Sequence, residues 1–286
     1  MKENERNFLT IERGSALYPA ALQTLADPPS TLYAIGNIEL LKERCFTVVG
    51  SRRTPEHARK TCEGLVKELS YTFCIVTGVA DGGDVAAIKG ALNGSGKVIC
   101  VHAGGLDELP SANTELLREV AEKGLLLSPY PPNTPVRNFS FEYRNKLLAA
   151  LGEGTLVVSA GEKSGTLITA RHAKGFKKTV FAFPYPPNAA QGVGCNALIK
   201  EGGRLTERAE DILSVFGIEQ KTQSQAVVLT DLEERALIAL KDLQEAHALE
   251  IAKAVGVPPF RIGAVLSALE MKGVAVALGG NRYAAV

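Results

Sequence analysis

Several common sequence signatures are missing from this 286-residue chain. Its five cysteines are scattered and form no C-x-x-C pair, which argues against a disulfide framework or a zinc site and favours a reducing cytosol. The first residues, MKENERNFLTIERG, lack the apolar stretch of a secretory signal, and no apolar run approaches transmembrane length. We therefore expect a cytoplasmic protein with no membrane partner.

The usual cofactor and catalytic motifs are missing as well. The sequence contains neither a G-x-x-x-x-G-K-[ST] motif nor G-x-G-x-x-G spacing, so neither a P-loop nor a dinucleotide site is predicted. The four histidines lie in separate segments without ligand spacing, and no nucleophile stands beside a base. We predict no catalytic residue, no metal and no cofactor.

Composition is ordinary for a globular protein, with 45% hydrophobic and 22% charged residues. The formal net charge of +1 does not by itself indicate nucleic-acid binding. Short apolar runs alternate with helical patterns through the middle of the chain. This alternation predicts an α/β fold with a doubly wound, mostly parallel sheet. The predicted strands are Phe46 to Val49, Phe73 to Val76, Val98 to Val101, Leu125 to Leu127, Leu156 to Val158 and Val180 to Phe183.

Pattern changes divide the chain into four predicted parts. Residues 1–43 form a short N-terminal helical arm, with one strand from Leu32 to Ile35, and residues 44–216 form the main domain. Residues 217–225 are a polar linker. Residues 226–286 show three helical patterns and a hairpin, which predicts a small winged-helix domain. That domain is net negative, so we favour a role in protein interaction or self-packing over a transcription regulator that binds a DNA groove.

Three turns in the main domain are candidate anion sites. Ser164-Gly165-Thr166 falls where a buried strand meets a helix, and free N–H groups at a helix start attract phosphate. Gly50-Ser51-Arg52-Arg53 adds guanidinium groups to a similar turn, and Gly78 to Gly83 permits close backbone approach. The alternative for each is a plain strand-to-helix turn with solvated side chains.

Basic and aromatic residues alternate before the fifth predicted strand. Arg137, Arg144 and Lys146 are interleaved with three aromatic residues, Phe139, Phe141 and Tyr143. The first helix of this stretch is predicted to begin at Arg144-Asn145-Lys146. Cations that follow a backbone and rings that stack on bases are typical of single-strand binding. The alternative is that the rings belong to the core and the cations are solvated.

These motifs together resemble the DNA-processing protein A family (DprA, also called Smf). The resemblance runs from about Tyr18 to the end and is specific because the motifs keep the family's order and spacing. The matching segments are YPAALQTLADPPSTLYAIGN, Val49-Gly50-Ser51-Arg52, Thr77-Gly78 with Gly82, Leu109-Pro110 with Asn113, Arg144-Asn145-Lys146, Ser164-Gly165-Thr166-Leu167-Ile168-Thr169-Ala170 and Gly194-Cys195-Asn196-Ala197-Leu198-Ile199.

The resemblance implies an extended Rossmann-like domain that binds single-stranded DNA, forms a homodimer and loads a RecA-type recombinase. The implied function is a recombination mediator that protects incoming DNA in natural transformation, and not an enzyme. Together with the residue patterns it gives this predicted DNA- and phosphate-binding set: Gly50, Ser51, Arg52, Arg53, Gly78, Gly82, Arg137, Arg144, Asn145, Lys146, Ser164, Gly165, Thr166 and Asn196.

One departure from the family pattern concerns charge. Asp81 stands where the family usually has a cation, so we expect it to repel a nearby DNA backbone. The chain also resembles the phosphoribohydrolases of the lysine decarboxylase-like family, which is the alternative function. Those enzymes use a glutamate at the position of Thr169, and a threonine cannot stabilise positive charge on a ribose.

Overall fold

The computed structural model describes residues 8–218 and 229–285. Contacts divide the chain into two compact units, Met1–Glu219 and Gln220–Val286. Most of the predicted linker at 217–225 lies outside the described residues.

One sheet organises the described part of the first unit. Its strand order is β1-β2-β6-β5-β4-β3-β7-β8-β9. Strands β3 to β9 pair with one another in parallel, whereas β1 pairs antiparallel with β2, and β2 antiparallel with β6. The strands are β1 Leu9–Glu12, β2 Thr31–Gly36, β3 Cys45–Gly50, β4 Cys74–Thr77, β5 Val98–Val101, β6 Leu125–Ser128, β7 Gly154–Ser159, β8 Thr179–Ala182 and β9 Arg204–Leu205.

Eight α-helices are described in this unit. Helices α3 and α5 both pack on β3, β4 and β5. Most of the helices fall into two groups whose members contact one another: one group is α2, α3, α4 and α8, and the other is α1, α5 and α6. The bounds are α1 Ala20–Gln23, α2 Glu56–Leu69, α3 Gly83–Asn93, α4 Thr114–Lys123, α5 Asn138–Leu151, α6 Thr166–Gly175, α7 Val193–Lys200 and α8 Ala209–Leu213, with 3-10 turns at Ile38–Lys42, Ser111–Asn113 and Ser214–Phe216.

Apolar runs explain why the central strands are buried. Every residue of β3, β4, β5 and β7 is buried, as expected for parallel strands covered on both faces. Phe46, Phe73 and Phe181 are fully buried, and the rings of Phe46 and Phe73 lie 5.6 Å apart. All five cysteines are free and buried, and burial raises the pKa of Cys62 and Cys100. The predicted mostly parallel α/β sheet is confirmed.

Two predicted details were wrong. The N-terminal segment 1–43 was predicted as a helical arm with one strand, which is confirmed as β2, but β1 was missed because Leu9–Glu12 is short and polar at its end. Helix α5 begins at Asn138 and not at Arg144. Its first turn, Asn138 to Phe141, contains exposed polar and aromatic residues without an apolar repeat, so periodicity could not reveal it.

The second unit contains three helices and a small sheet. They are α9 Asp231–Leu243, α10 Ala248–Val255 and α11 Pro259–Met271, with β10 Glu245–His247, β11 Ala275–Gly279 and β12 Arg282–Ala285 in the order β10-β12-β11. Thr230 and Glu233 form a capping box at the start of α9. The winged-helix identity of this unit stays a prediction.

None of the described helices is by itself both long and apolar enough to cross a bilayer. Helices α10 and α11 pass that test only as a pair, with a bend of 104° between them, and Ile251, Ile262 and Leu266 of this pair lie in the core of the second unit.

Candidate nucleic-acid interface

The main cleft of the first unit opens at the point in the sheet where the order of strand addition reverses. From β3 the chain adds β4, β5 and β6 on one side, and β7, β8 and β9 on the other. Ligands of open α/β sheets bind at such a switch point, beyond the carboxyl ends of the strands. The main cleft measures about 420 Å³ and is formed by the turns after β3, β4 and β7 together with α5. Its lining includes Gly50, Ser51, Arg52, Ala80, Asp84, Phe141, Arg144, Asn145, Ser164, Gly165, Thr166 and Thr169.

Glycines let the turns after β3 and β4 touch. A Cβ on Gly50 would lie 2.6 Å from the Cα of Gly83, and a Cβ on Gly82 would collide with the carbonyl of Ser51. Gly82 also has φ of +81°, a conformation that other residues rarely adopt. The glycine-rich turn therefore supports the cleft from below.

Asp84 fastens these two turns. Its carboxylate accepts the backbone N–H groups of Gly50, at 3.3 Å, and of Ala80, at 3.4 Å. The side chain is buried, and burial raises the pKa of Asp84 while the Arg144 guanidinium opposes the shift. The backbone N–H of Ser51 is likewise taken, by the carbonyl of Ser159 at 2.9 Å. Gly50 and Ser51 belong to the predicted phosphate-binding set, and the resemblance implies a backbone contact for Ser51, but the N–H groups of both residues are used within the protein.

Arg144 lies buried at the base of the main cleft. It donates from Nη1 to the carbonyl of Val101 at 2.9 Å and from Nε to Oδ1 of Asn145 at 3.0 Å. Gly78 makes room for it, because a Cβ there would collide with both the Arg144 guanidinium and the Asp84 carboxylate. Burial lowers the pKa of Arg144, and Asp84 opposes that shift. Arg144 therefore sets the charge and shape of the cleft floor.

Arg52 is the exposed cation of the main cleft. Its guanidinium carbon lies 5.7 Å from the centre of the Phe141 ring, and that of Arg144 lies 5.9 Å from the same ring. Both distances suit a cation–π contact. Arg144 acts on the buried Asp84 carboxylate more strongly than Arg52 does, and the exposed Arg52 side chain can reach an anion that enters from solvent.

The start of α6 differs from what the sequence predicted. Ser164 Oγ accepts the N–H of Thr166 at 3.3 Å, and the N–H groups of Leu167 and Ile168 donate to the carbonyls of Ser164 and Gly165. Most donors expected to be free are thus used locally. Helix α6 therefore contributes to the main cleft its positive dipole end and the side chains of Ser164, Thr166 and Thr169. The space above Gly165 is open, because a Cβ there would meet nothing within 4 Å.

A smaller side cleft of about 270 Å³ adjoins the main cleft. The two share Arg52, Ala80, Phe141 and Arg144. The rest of its lining is Val79, Asp81, His102, Ala103, Glu108, Pro110, Asn113 and Val136. At its rim Oδ1 of Asp81 accepts from Nδ2 of Asn113 at 3.0 Å. Asp81, expected on a phosphate path, therefore lies at this neighbouring site.

His102 is buried in the side cleft, and neither of its ring nitrogens has a hydrogen-bond partner within the described residues. Burial lowers the pKa of His102 to about 4, and the charge of Arg144 adds to this effect. The Glu108 backbone lies near the ring, outside hydrogen-bond geometry, and opposes the shift. The imidazole is therefore neutral at physiological pH.

The structure brings together most of the predicted binding set. Eight members line the main cleft, namely Gly50, Ser51, Arg52, Arg144, Asn145, Ser164, Gly165 and Thr166. Gly78 and Gly82 lie beneath it. The remaining four, Arg53, Arg137, Lys146 and Asn196, line neither cleft.

Lys146 and Asn196 are engaged elsewhere. Lys146 is paired with Asp27 of the N-terminal segment, whose carbonyl also accepts from the Tyr143 hydroxyl at 3.0 Å. Asn196 binds both backbone groups of Tyr185, accepting its N–H at 3.0 Å and donating to its carbonyl at 2.9 Å. Both side chains therefore hold loops in place, and the structure gives neither a place in the cleft.

Asn145 has a positioning role that its neighbours explain. Its Oδ1 accepts from Arg144, and its Nδ2 donates to the carbonyl of Gly165 at 3.3 Å. One amide thus links the floor of the main cleft to the start of α6.

The binding set predicted from the sequence omits Asp84 and His102. Asp84 follows two glycines at the start of a helix, a pattern that could have marked a turn-fastening carboxylate. His102 follows the apolar strand β5 directly, which could have indicated burial at a carboxyl end. In residues 8–218 and 229–285 no group of three or more His, Cys, Asp or Glu could hold a metal ion.

Comparisons with known proteins show the family to which the chain belongs. The family described as DNA recombination-mediator protein A matches residues 9–217. The DNA processing protein DprA of Streptococcus pneumoniae is 37% identical over 200 residues, which cover 70% of this chain and 71% of that protein. The DprA of Bacillus subtilis is 36% identical over 214 residues, covering 73% and 71%.

Solved structures give the same relationship. The X-ray structure of DprA from Streptococcus pneumoniae has a TM-score of 0.70 and 35% identity, and covers 73% of this chain and 74% of that one. DNA processing protein A from Helicobacter pylori, whose structure is described for its unique single-stranded DNA binding mode, has a TM-score of 0.68 and 29% identity, with coverage of 74% and 96%.

Proposed function

This chain belongs to the DNA recombination-mediator protein A family, and from that premise we propose that it binds single-stranded DNA in the main cleft. Arg52 would pair with a phosphate, and the Thr166 hydroxyl, which accepts from the Ser164 hydroxyl at 3.0 Å, would donate to the same or the next phosphate. The positive end of α6 would add to this attraction.

One observation carries the proposal. An exposed guanidinium stands against an aromatic ring, beside a helix start above which the space is open. Arg52 and Phe141 combine a phosphate partner with a stacking surface, which is the arrangement that single strands require. The Helicobacter pylori relative, described for single-stranded DNA binding, supports the same ligand here.

We also propose that the chain acts by binding and not by catalysis. The phosphoribohydrolase alternative needs a carboxylate at the position of Thr169, which is buried in the main cleft. The carboxylate that does line the main cleft belongs to Asp84, and it already accepts two backbone N–H groups. Incubation with nucleoside monophosphates should therefore release no free base, and a released base that depends on Asp84 would favour the hydrolase.

The family description, recombination mediator, supports a wider role. In this proposal the chain works as a cytoplasmic homodimer that protects incoming single strands during natural transformation and loads a RecA-type recombinase. A strand-exchange assay with single-strand-binding protein present tests the loading step. Recombinase filaments should form faster when this protein is added.

Affinity measured over a salt series tests the binding step. Fluorescence anisotropy should show tighter binding to a single strand than to a duplex of the same length. The logarithm of affinity should fall linearly with the logarithm of salt concentration, because phosphate contacts release counterions. Equal affinity for the duplex, or no binding at low salt, contradicts the proposal.

A further inference from the structure

The side cleft contains a buried side chain that the fold leaves without a partner. His102 is 4% exposed, it lines the cleft, and both of its ring nitrogens are unpaired within the described residues. Buried polar groups are nearly always hydrogen-bonded, because leaving one unpaired costs free energy. A ligand that pairs with the ring would remove that cost.

The chemistry of the side cleft does not suit a phosphate. Asp81 and Glu108 bring carboxylates to its lining, and these repel an anion. Arg144, which also lines it, already donates to Val101 and Asn145. Carboxylates accept hydrogen bonds, and a neutral imidazole offers one donor and one acceptor. Apolar walls from Val79, Val136 and Phe141 suit a flat ring. The cleft therefore fits an uncharged heterocycle that presents N–H donors.

The side cleft is also in the right place for a nucleobase. It shares Arg52 and Phe141 with the main cleft, where the phosphate is proposed to bind. Because Arg52 lines both clefts, a nucleotide can keep its phosphate paired with Arg52 while its base enters the side cleft. This step rests on the proposed function, because it takes the strand in the main cleft as given.

We propose that the side cleft holds one base of the bound single strand and selects cytosine or adenine over thymine or uracil. In cytosine and adenine an amino group stands next to a ring nitrogen that accepts hydrogen bonds. A carboxylate of Asp81 or Glu108 accepts from the amino group, and the N–H of His102 donates to the ring nitrogen. Thymine and uracil present a carbonyl oxygen where the amino group would be, and that oxygen faces carboxylates.

The first test compares oligo(dC) with oligo(dU) of equal length on the wild-type protein, at mildly alkaline pH where cytosine stays neutral. The two bases differ only in the amino or carbonyl group and the adjacent ring nitrogen. We expect about tenfold tighter binding of oligo(dC), which corresponds to about 1.4 kcal/mol. Equal affinities, or preference for oligo(dU), overturn the base selection but leave the proposed function standing. Failure to bind either strand overturns both.

Variants locate the preference. His102→Leu keeps a similar side-chain volume and should make the affinities for oligo(dC) and oligo(dU) nearly equal. It should also raise the melting temperature, because it removes two unpaired buried nitrogens. His57→Leu, on the exposed surface of α2, is the matched control and should keep the preference. Should His102→Leu fail to fold, Asp81→Ala on the exposed rim should strengthen oligo(dU) binding and narrow the ratio. A ratio unchanged in these variants overturns the proposal.

A free nucleotide presents the same base as a strand, so a competition arm separates the two sources. We expect dCMP to displace labelled oligo(dC) only in large excess, since it offers a single phosphate. If dCMP displaces labelled oligo(dC) at concentrations near the Kd of the strand, the side cleft is a site for free nucleotides. That result overturns the proposal that the side cleft selects a base of a bound strand.

Discussion

Arg52 holds its guanidinium carbon 5.7 Å from the centre of the Phe141 ring. Its sequence neighbour Arg53 is also exposed but lines neither cleft. The two arginines therefore form a matched pair for mutation, with the same charge and nearly the same position in the chain.

Arg52→Ala should weaken single-strand binding by about tenfold, or about 1.4 kcal/mol, because it removes a charge-assisted phosphate contact. It should also reduce the slope of log affinity against log salt by about 0.7. Anisotropy titrations at several salt concentrations measure both quantities. Arg53→Ala is the control and should change affinity much less. Equal losses for the two variants would show that the main cleft is not the phosphate site.

Gly165→Ala separates ligand contact from stability. Gly165 has φ of −58°, and an added Cβ would meet nothing within 4 Å, so the folded protein tolerates it. Thermal unfolding should be unchanged or occur at a slightly higher temperature, because alanine restricts the unfolded chain. Single-strand affinity should fall several-fold, since the methyl group occupies the open space that a phosphate would enter. Unchanged affinity would mean that the strand does not approach the start of α6.

Lys146→Met should affect stability more than binding. The Lys146 side chain is paired with Asp27, and this pairing lowers the pKa of Asp27. Because Asp27 is largely exposed, we expect a loss of only about 0.5 kcal/mol in unfolding free energy, measured by denaturant titration. Single-strand affinity should stay within about twofold of wild type by the same reasoning. A tenfold loss would return Lys146 to the DNA path on which the sequence had placed it.

His102 should make stability depend on pH. Its pKa falls from 6.5 in the unfolded chain to about 4 in the folded protein. Between these values the unfolded chain binds more protons, so stability is complete above 6.5 and is lost as pH falls toward 4. Unfolding free energy should drop by about 3 kcal/mol more in wild type than in His102→Leu over that range. Parallel pH profiles for the two proteins would show that the imidazole titrates normally.

The central strands and the turns after them could be predicted from the sequence because their signals are local. Apolar runs such as Leu156 to Val158 lie in buried strands, and Ser164 to Thr166 does precede a helix. The switch-point position of the cleft follows from the strand order, which places β3 between β4 and β7.

Other features depend on contacts that no local pattern encodes. From the sequence alone Lys146 looks like a cation that faces solvent, because its partner Asp27 is far away in the chain and only the fold brings the two together. The N–H of Gly50 looks available until Asp84 reaches it from the neighbouring turn. His102 resembles any surface histidine until packing buries it. The sequence could not reveal these contacts, because each partner comes from a different element.

The antiparallel pairing of β2 with β6 has a consequence for synthesis on the ribosome. Gly36 pairs with Leu125 and Tyr33 with Ser128, so β2 leaves the ribosome long before the strand that it pairs with. Strand β3 similarly gains its second neighbour only when β7 has been made. Long-range pairing of this kind delays folding and leaves strand edges open in the meantime. A nascent chain that stops before residue 125 can pair β2 only with β1, so the other edge of β2 stays open to chaperones during that interval.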